Sequence, residues 1–267
     1  VRSRGLGDVY KRQPIYIVDL PSFEDTVNSL VLAKLVQHDW LLLHAALVDS
    51  PRGGLLVSGY PDVGKTTTAL ALAEEAGCKA LSDDITLAEI DGRCYGKGFD
   101  SISLYTASEW NSVKEKIHPR LIGPRRALGR MLTMLSYFPR APSFLGKAGK
   151  RLGSVSLRDG SRRIGPGQTR ARYIFALEAG EETLFQVDET TMFRKLMSIH
   201  RREFYWFWSN FLLTTYAFMD DSFDLEELES RFREGLRCLI GSLSPELYVV
   251  RARTPKDFPK AIQKFVR

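Results

Sequence analysis

Residues 59–66 read Gly59-Tyr60-Pro61-Asp62-Val63-Gly64-Lys65-Thr66, the G-x-x-x-x-G-K-T pattern of a phosphate-cradling loop. The flanks suit that pattern. Residues 55–58 (LLVS) have the composition of a buried strand, and residues 66–76 (TTTALALAEEA) that of a helix. In a strand–loop–helix of this kind, successive backbone N–H groups and the helix N-terminus converge on anionic oxygens. Lys65 is then expected to reach the terminal phosphates, and the Thr66 hydroxyl to ligate Mg²⁺. The expected nucleotide contacts are Gly59, Tyr60, Pro61, Asp62, Val63, Gly64, Lys65, Thr66 and Thr67.

Working outward, residues 41–49 (LLLHAALVD) and 54–59 (GLLVSG) are apolar runs joined by Ser50-Pro51-Arg52-Gly53. A short Pro/Gly connector predicts an antiparallel hairpin. If Asp49 faces Gly54, paired positions sum to about 103, which sets His44 opposite Gly59 within a residue or two. His44 is therefore expected at the mouth of the loop. On the other side, Gly77 suits the residue just past a helix C-terminus. Residues 79–82 (KALS) then predict a short strand running into Asp83-Asp84. Strand, helix and strand in succession form a βαβ unit with parallel strands, whose ligands sit beyond the carboxyl ends. Asp83 and Asp84 should therefore share an edge with the loop. Adjacent carboxylates repel unless a cation or a proton-transfer role compensates.

Elsewhere the pattern is coarser. Residues 14–20 alternate as a strand and 23–36 carry apolar residues at helical spacing. Residues 86–90 and 93–98 flank Asp91-Gly92 as a second hairpin. Residues 121–135 suggest a basic helix with Arg125, Arg126 and Arg130; residues 144–169 read as loop, with a strand near 154–157. A strand over 173–178, a helical stretch over 191–219, an amphipathic helix over 225–243, a strand over 247–251 and a short helix over 257–266 complete the chain. Residues 1–13 (VRSRGLGDVYKRQ) are basic and aperiodic, and are expected to be a non-native or disordered extension; residues 14–267 then form a single domain.

With 267 residues, 44% hydrophobic and 26% charged, the chain has ordinary globular composition and length for a sizeable core. Cys78, Cys94 and Cys238 lie far apart with no C-x-x-C pair. That spacing suits a reducing, cytoplasmic setting and argues against thiolate metal ligation. Residues 204–219 (FYWFWSNFLLTTYAFM) are apolar but too short and too polar to span a bilayer, so a buried or partner-docking helix is expected. The net charge of +6 is uneven: residues 114–172 hold fifteen Lys or Arg against two acids, a local +13 beside a remainder of −7. Such a segment suits an anionic ligand, an acidic peptide or nucleic acid, or else a solvated loop.

The run His44-Ala45-Ala46-Leu47-Val48-Asp49, the loop from Gly59 to Thr66, and Leu81-Ser82-Asp83-Asp84 together resemble the C-terminal kinase domain of HPr serine kinase/phosphorylase. The resemblance is specific over residues 41–100 and general beyond them, where the shorter relatives of that family fit best. Thr67 stands where the family has a glutamate, and Gly64-Lys65-Thr66-Thr67 is similar to the loop of phosphoenolpyruvate carboxykinase. The family's downstream glycine-rich signature, tied to phosphorylase activity and oligomer contacts, has no counterpart. The resemblance implies an α/β P-loop kinase fold of the HPr kinase/PEP carboxykinase type, with a mixed central sheet flanked by helices and a helical C-terminal part. It also implies that Asp83 is the general base, that His44 tunes or shares its proton, that Thr66 and Asp84 hold Mg²⁺, and that Lys65 neutralises the transferring phosphoryl group.

The expected activity is Mg²⁺-dependent transfer of the γ-phosphoryl of ATP to a Ser or Thr hydroxyl of a peptide or small protein. A nucleotide-binding regulatory protein without transfer is the alternative. A nucleic-acid-associated NTPase ranks last, because few aromatic residues interleave the basic ones. A homo-oligomer is compatible with the family, and no membrane span is expected.

Overall fold

The computed structural model describes residues 23–75, 77–99, 101–103, 127–128, 131–132, 148, 154–156, 163–208, 211–220, 223–241 and 244–266. The expectations for residues 1–13, the 14–20 strand, and most of the 121–135 helix and 144–169 loop lie outside that set.

The spine of the molecule is β9 (Gly167–Ala179), a strand of 13 residues. Its first part pairs antiparallel with β6 (Arg93–Gly96), Arg93 facing Arg170. Its later part pairs parallel on one side with β3 (Gly54–Gly59) and on the other with β11 (Glu246–Ala252). From β3 the sheet continues through β2 (Ala45–Asp49) to β4 (Lys79–Ser82). From β6 it continues through β5 (Thr86–Glu89) to β1 (Trp40–Leu43), and β10 (Thr183–Gln186) edges β11. A separate ribbon joins β7 (Ser101–Ser103) to β8 (Ser154–Ser156).

Alternation along the strands sends side chains to two cores. Leu47, Leu56, Ile174, Ala176 and Val249 face one; Ala46, Val48, Leu55, Val57, Phe175 and Val250 face the other. The first core is covered by α1 (Phe23–Gln37), α3 (Glu189–Glu203), α4 (Tyr205–Trp208), α5 (Phe211–Met219) and α6 (Leu225–Gly241). Leu228, Phe232, Leu236, Leu239 and Ile240 of α6 recur at three- and four-residue spacing and form its buried stripe. The second core is covered by α2 (Lys65–Ala73) and α7 (Phe258–Ile262), the latter running into a 3₁₀ turn. The fold is thus mixed α/β, with a mixed sheet between helical layers.

Several expectations change in detail. The 41–49 strand is two strands: a bend at His44 separates β1, which pairs β5, from β2, which pairs β3 and β4. The β2–β3 hairpin holds the register whose positions sum to 103, with Ala45 opposite Ser58. β4 runs in the same direction as β3 but does not touch it, because β2 lies antiparallel between them. The helical stretch over 191–219 is broken into α3, α4 and α5. Within it Phe204, Phe207 and Leu213 are buried, whereas Phe218 is 87% exposed. Among the described residues, no helix is long and apolar enough to cross a membrane. β10 is an addition: its residues are mostly exposed on an edge strand and carry little apolar signal.

Candidate functional site

β3 ends at Gly59, and the chain turns through Tyr60, Pro61, Asp62 and Val63 before α2 begins at Lys65. The turn is sterically narrow. A Cβ on Gly59 would lie 2.7 Å from Val63 Cγ1. Gly64 has φ 123°, and a Cβ there would meet Pro255 Cβ at 2.9 Å, so both the conformation and the space require glycine. Asp62 also takes a positive φ, of 60°. The first turn of α2 has no capping side chain and no acidic residue, so its leading N–H groups are left without an anionic partner from their own helix.

Lys65 is 4% exposed and folds back over the loop, its Nζ donating to the carbonyls of Gly59 and Tyr60 at 3.2 Å each. Burial pulls its ammonium below the ordinary lysine range, opposed by Asp84, Asp83, Glu203 and Asp62. Asp84 Oδ1 stands 3.9 Å from that Nζ, with its side chain 59% exposed.

Thr66 Oγ1 donates a hydrogen bond to Asp83 Oδ1. Asp83 is pushed up to about 6, first by burial and then by the neighbouring Asp84, against the Thr66 hydrogen bond and Lys65. A carboxylate tuned this way remains largely ionised at neutral pH and binds a proton more strongly than an ordinary aspartate. The structure thus brings the loop, Lys65, Thr66, Asp83 and Asp84 to one edge. The contact it forms, however, is Thr66 with Asp83, not Thr66 with Asp84.

His44 occupies the bend between β1 and β2, its carbonyl accepting a hydrogen bond from Ser58 Oγ at 2.8 Å. Burial, then Lys65, drives its imidazole down to about 4. The ring is therefore neutral at pH 7, so the 3.7 Å approach of Nε2 to Glu203 Oε2 is not an ion pair. Nε2 is buried and makes no hydrogen bond. Glu203, the last residue of α3, was not among the expected site residues. It follows two arginines before the apolar 204–219 run and reads in sequence as a polar flank.

A cleft of about 680 Å³ opens beyond the carboxyl ends of β3 and β9, between the loop and α3. That volume falls in the range of roughly 300–1,000 Å³ usual for small-ligand sites. Pro61, Val63, Leu177 and Ala179 give it apolar walls, and Arg194 and Ser198 line it from α3. Tyr60 stands at its rim, sharing a 2.7 Å hydrogen bond with the Ser198 hydroxyl and lying 4.9 Å beneath the Arg202 guanidinium.

Neither the protein-family models nor the curated proteins include a match to this chain.

Mg²⁺ and a nucleotide can be tested against these donors. Among the described residues, no group of three or more His, Cys, Asp or Glu forms a metal cluster. Mg²⁺ beside a polyphosphate needs only one or two protein oxygens, the rest coming from phosphate and water. Thr66 Oγ1 can donate to Asp83 and still offer a lone pair, and the Asp83–Asp84 repulsion is of the kind a cation relieves. The residues present fit both groups.

Proposed function

We propose that the protein is a Mg²⁺-dependent phosphotransferase of the HPr kinase/PEP carboxykinase P-loop type, moving the γ-phosphoryl of ATP to a Ser or Thr hydroxyl of a peptide or small protein. One observation carries this reading: the half-buried carboxylate of Asp83 accepts a hydrogen bond from the loop threonine that follows Lys65, and its proton affinity is raised, to about 6. Phosphoryl transfer asks mainly for positioning and charge stabilisation, and a base within reach of the incoming hydroxyl.

In this reading the loop from Gly59 to Thr67 cradles the phosphates, and Lys65 leaves its loop carbonyls to meet the transferring group. Thr66 Oγ1 and the Asp84 carboxylate are the oxygens that would hold Mg²⁺, leaving the Asp83 carboxylate for the proton. When bound, that ion would offset the negative charge of the phosphates. Asp83 takes the proton of the acceptor hydroxyl as its oxygen bonds to the γ-phosphorus and the bond to the β–γ bridging oxygen breaks, leaving ADP. His44, neutral, stands by to share that proton. The reading also carries a cytoplasmic setting and leaves room for a homo-oligomer.

The test is incubation with γ-labelled ATP, Mg²⁺ and an array of serine- and threonine-containing peptides, beside Asp83→Asn. Label in peptides that disappears in Asp83→Asn is the expected result. Undiminished transfer by the variant removes Asp83 from the base role, and a wild type that binds no ATP removes the reading altogether.

One feature favours a second reading, a nucleotide-binding regulatory protein without transfer. Thr67 lies in a first turn that carries no acid, where the resembling family has glutamate. Tight ATP binding with no transfer to peptide or water would support it.

A further inference from the structure

The phosphotransferase reading assigns His44 a part in proton movement but leaves open what fixes its ring. Imidazole has two nitrogens, and in the neutral form only one carries the proton. Which one is set by the partner of the other, as a carboxylate or carbonyl commonly does for a catalytic or metal-bound histidine. His44 Nε2 is buried with no hydrogen bond, and the Glu203 carboxylate lies 3.7 Å away. Both side chains are largely buried, so water screens the pair little.

Glu203 is also divided between two neighbours. Its Oε2 faces His44, while its Oε1 lies 3.8 Å from Arg202 Nε. Arg202 in turn covers the ring of Tyr60 at the loop tip, and Tyr60 is bonded to Ser198 one turn earlier on α3. The C-terminal turn of α3 therefore touches the loop at Tyr60 and the strand bend at His44, with Glu203 between them.

We propose that Glu203 is a positioning residue of this site, accepting a hydrogen bond from His44 Nε2–H and so fixing the tautomer that leaves Nδ1 with a free lone pair for proton exchange at the reacting centre. A shortening of the 3.7 Å separation by a side-chain adjustment at the helix end makes the bond. The catalytic use of this pair rests on the phosphotransferase reading; the pairing itself does not.

The test uses full-length protein labelled with ¹⁵N-histidine, with His44 assigned from the signals lost in His44→Gln. Long-range ¹H–¹⁵N correlations at pH 7 report which ring nitrogen holds the proton. In the wild type His44 should appear as the Nε2–H tautomer. In Glu203→Ala it should move to a mixture or to Nδ1–H, and Glu203→Gln, whose amide oxygen still accepts, should keep most of the wild-type form. Turnover of ATP should fall at least tenfold in kcat in Glu203→Ala, with its Kd for ATP unchanged and partial recovery in Glu203→Gln. A His44 tautomer identical in wild type and Glu203→Ala overturns the pairing. A wild type that binds no ATP overturns the phosphotransferase reading and the catalytic use of the pair, while the tautomer result still decides the pairing.

Discussion

Thr66 donates its hydroxyl hydrogen to Asp83 across seventeen residues of sequence, from the first turn of α2 to the end of β4. The bond is made possible by β2. That strand lies between β3 and β4 and pairs antiparallel with both, so the carboxyl ends of β3 and β4 emerge on the same edge. Loop and carboxylate are thereby joined through the sheet, not by a flexible connection.

Asp83→Asn tests what that carboxylate does. The amide keeps the size and a partner for Thr66 but cannot take a proton. The rate of phosphoryl transfer is expected to fall about 100- to 10,000-fold, with ATP affinity held within about tenfold. Labelled-ATP kinetics and calorimetry measure the two separately. Loss of nucleotide binding in step with loss of transfer would assign Asp83 to binding alone.

Gly64→Ala tests the loop. The substitution forces an L-residue into φ 123° and places a methyl group 2.9 Å from Pro255 Cβ, which is backbone-anchored and cannot swing away. A loss of about 1–3 kcal/mol in unfolding free energy is expected, together with weaker ATP binding as the N–H groups lose their alignment. Urea unfolding reads the first effect. An unchanged midpoint would show that the loop relaxes without strain.

Tyr60 and Ser198 are expected to be energetically coupled. Tyr60→Phe and Ser198→Ala each break the 2.7 Å bond between loop and α3, and each should cost about 0.5–1.5 kcal/mol. Because the bond is exposed, values should fall at the lower end. The double variant should cost less than the two singles together, by about 0.5 kcal/mol. Strict additivity in a double-mutant cycle would mean that the hydroxyls do not hold each other in solution.

The parts of this site that sequence made legible are those held by local pairing. The Ser50-Pro51-Arg52-Gly53 connector gives a register in which Ala45 faces Ser58, so His44 falls beside the end of β3 before any tertiary contact is considered. Gly77 was read less well: α2 stops at Ala73 with Glu74 as its C-cap, so Gly77, with φ 79°, lies in the turn before β4 and not just past the helix. Glu203 was illegible because its role depends on where the end of α3 docks, a long-range packing event with no short-range pattern. The first half of β9 was missed for a different reason. Arg170 and Arg172 alternate with Thr169 and Ala171, but Gly165-Pro166-Gly167 ahead of them reads as loop, and only pairing with β6 shows the strand. The break at His44 was hidden by a continuous apolar run, since β1 and β2 are alike in composition and differ only in the strands they join.

His200 gives a pH-dependent prediction. It is 3% exposed, stacked on Phe232 with ring centroids 3.9 Å apart, and its Nε2 accepts a hydrogen bond from Trp208 Nε1 at 3.2 Å. Protonating Nε2 would set two N–H groups against each other inside the core. Burial, then Arg201, holds the ring down to about 3 against an ordinary value of 6.5, with a backbone contact to Leu42 opposing. The folded-state value is the lower one, so between 6.5 and about 3 the unfolded chain binds a proton that the folded chain refuses. Stability from this group is complete well above pH 6.5 and is lost as pH falls through 6.5 toward 3, at a slope approaching about 1.4 kcal/mol for each unit. His44, held down to about 4, adds a loss of the same sign. Urea unfolding of the wild type and of His200→Gln at pH 7.5, 6.5, 5.5 and 4.5 isolates the His200 share, because all other groups are common to both. The variant should start less stable at pH 7.5 and lose less on acidification, so the gap between the two narrows by about 1 kcal/mol from pH 6.5 to 5.5. A gap that stays constant over that interval would mean that His200 takes up its proton as readily in the folded protein as in the unfolded chain.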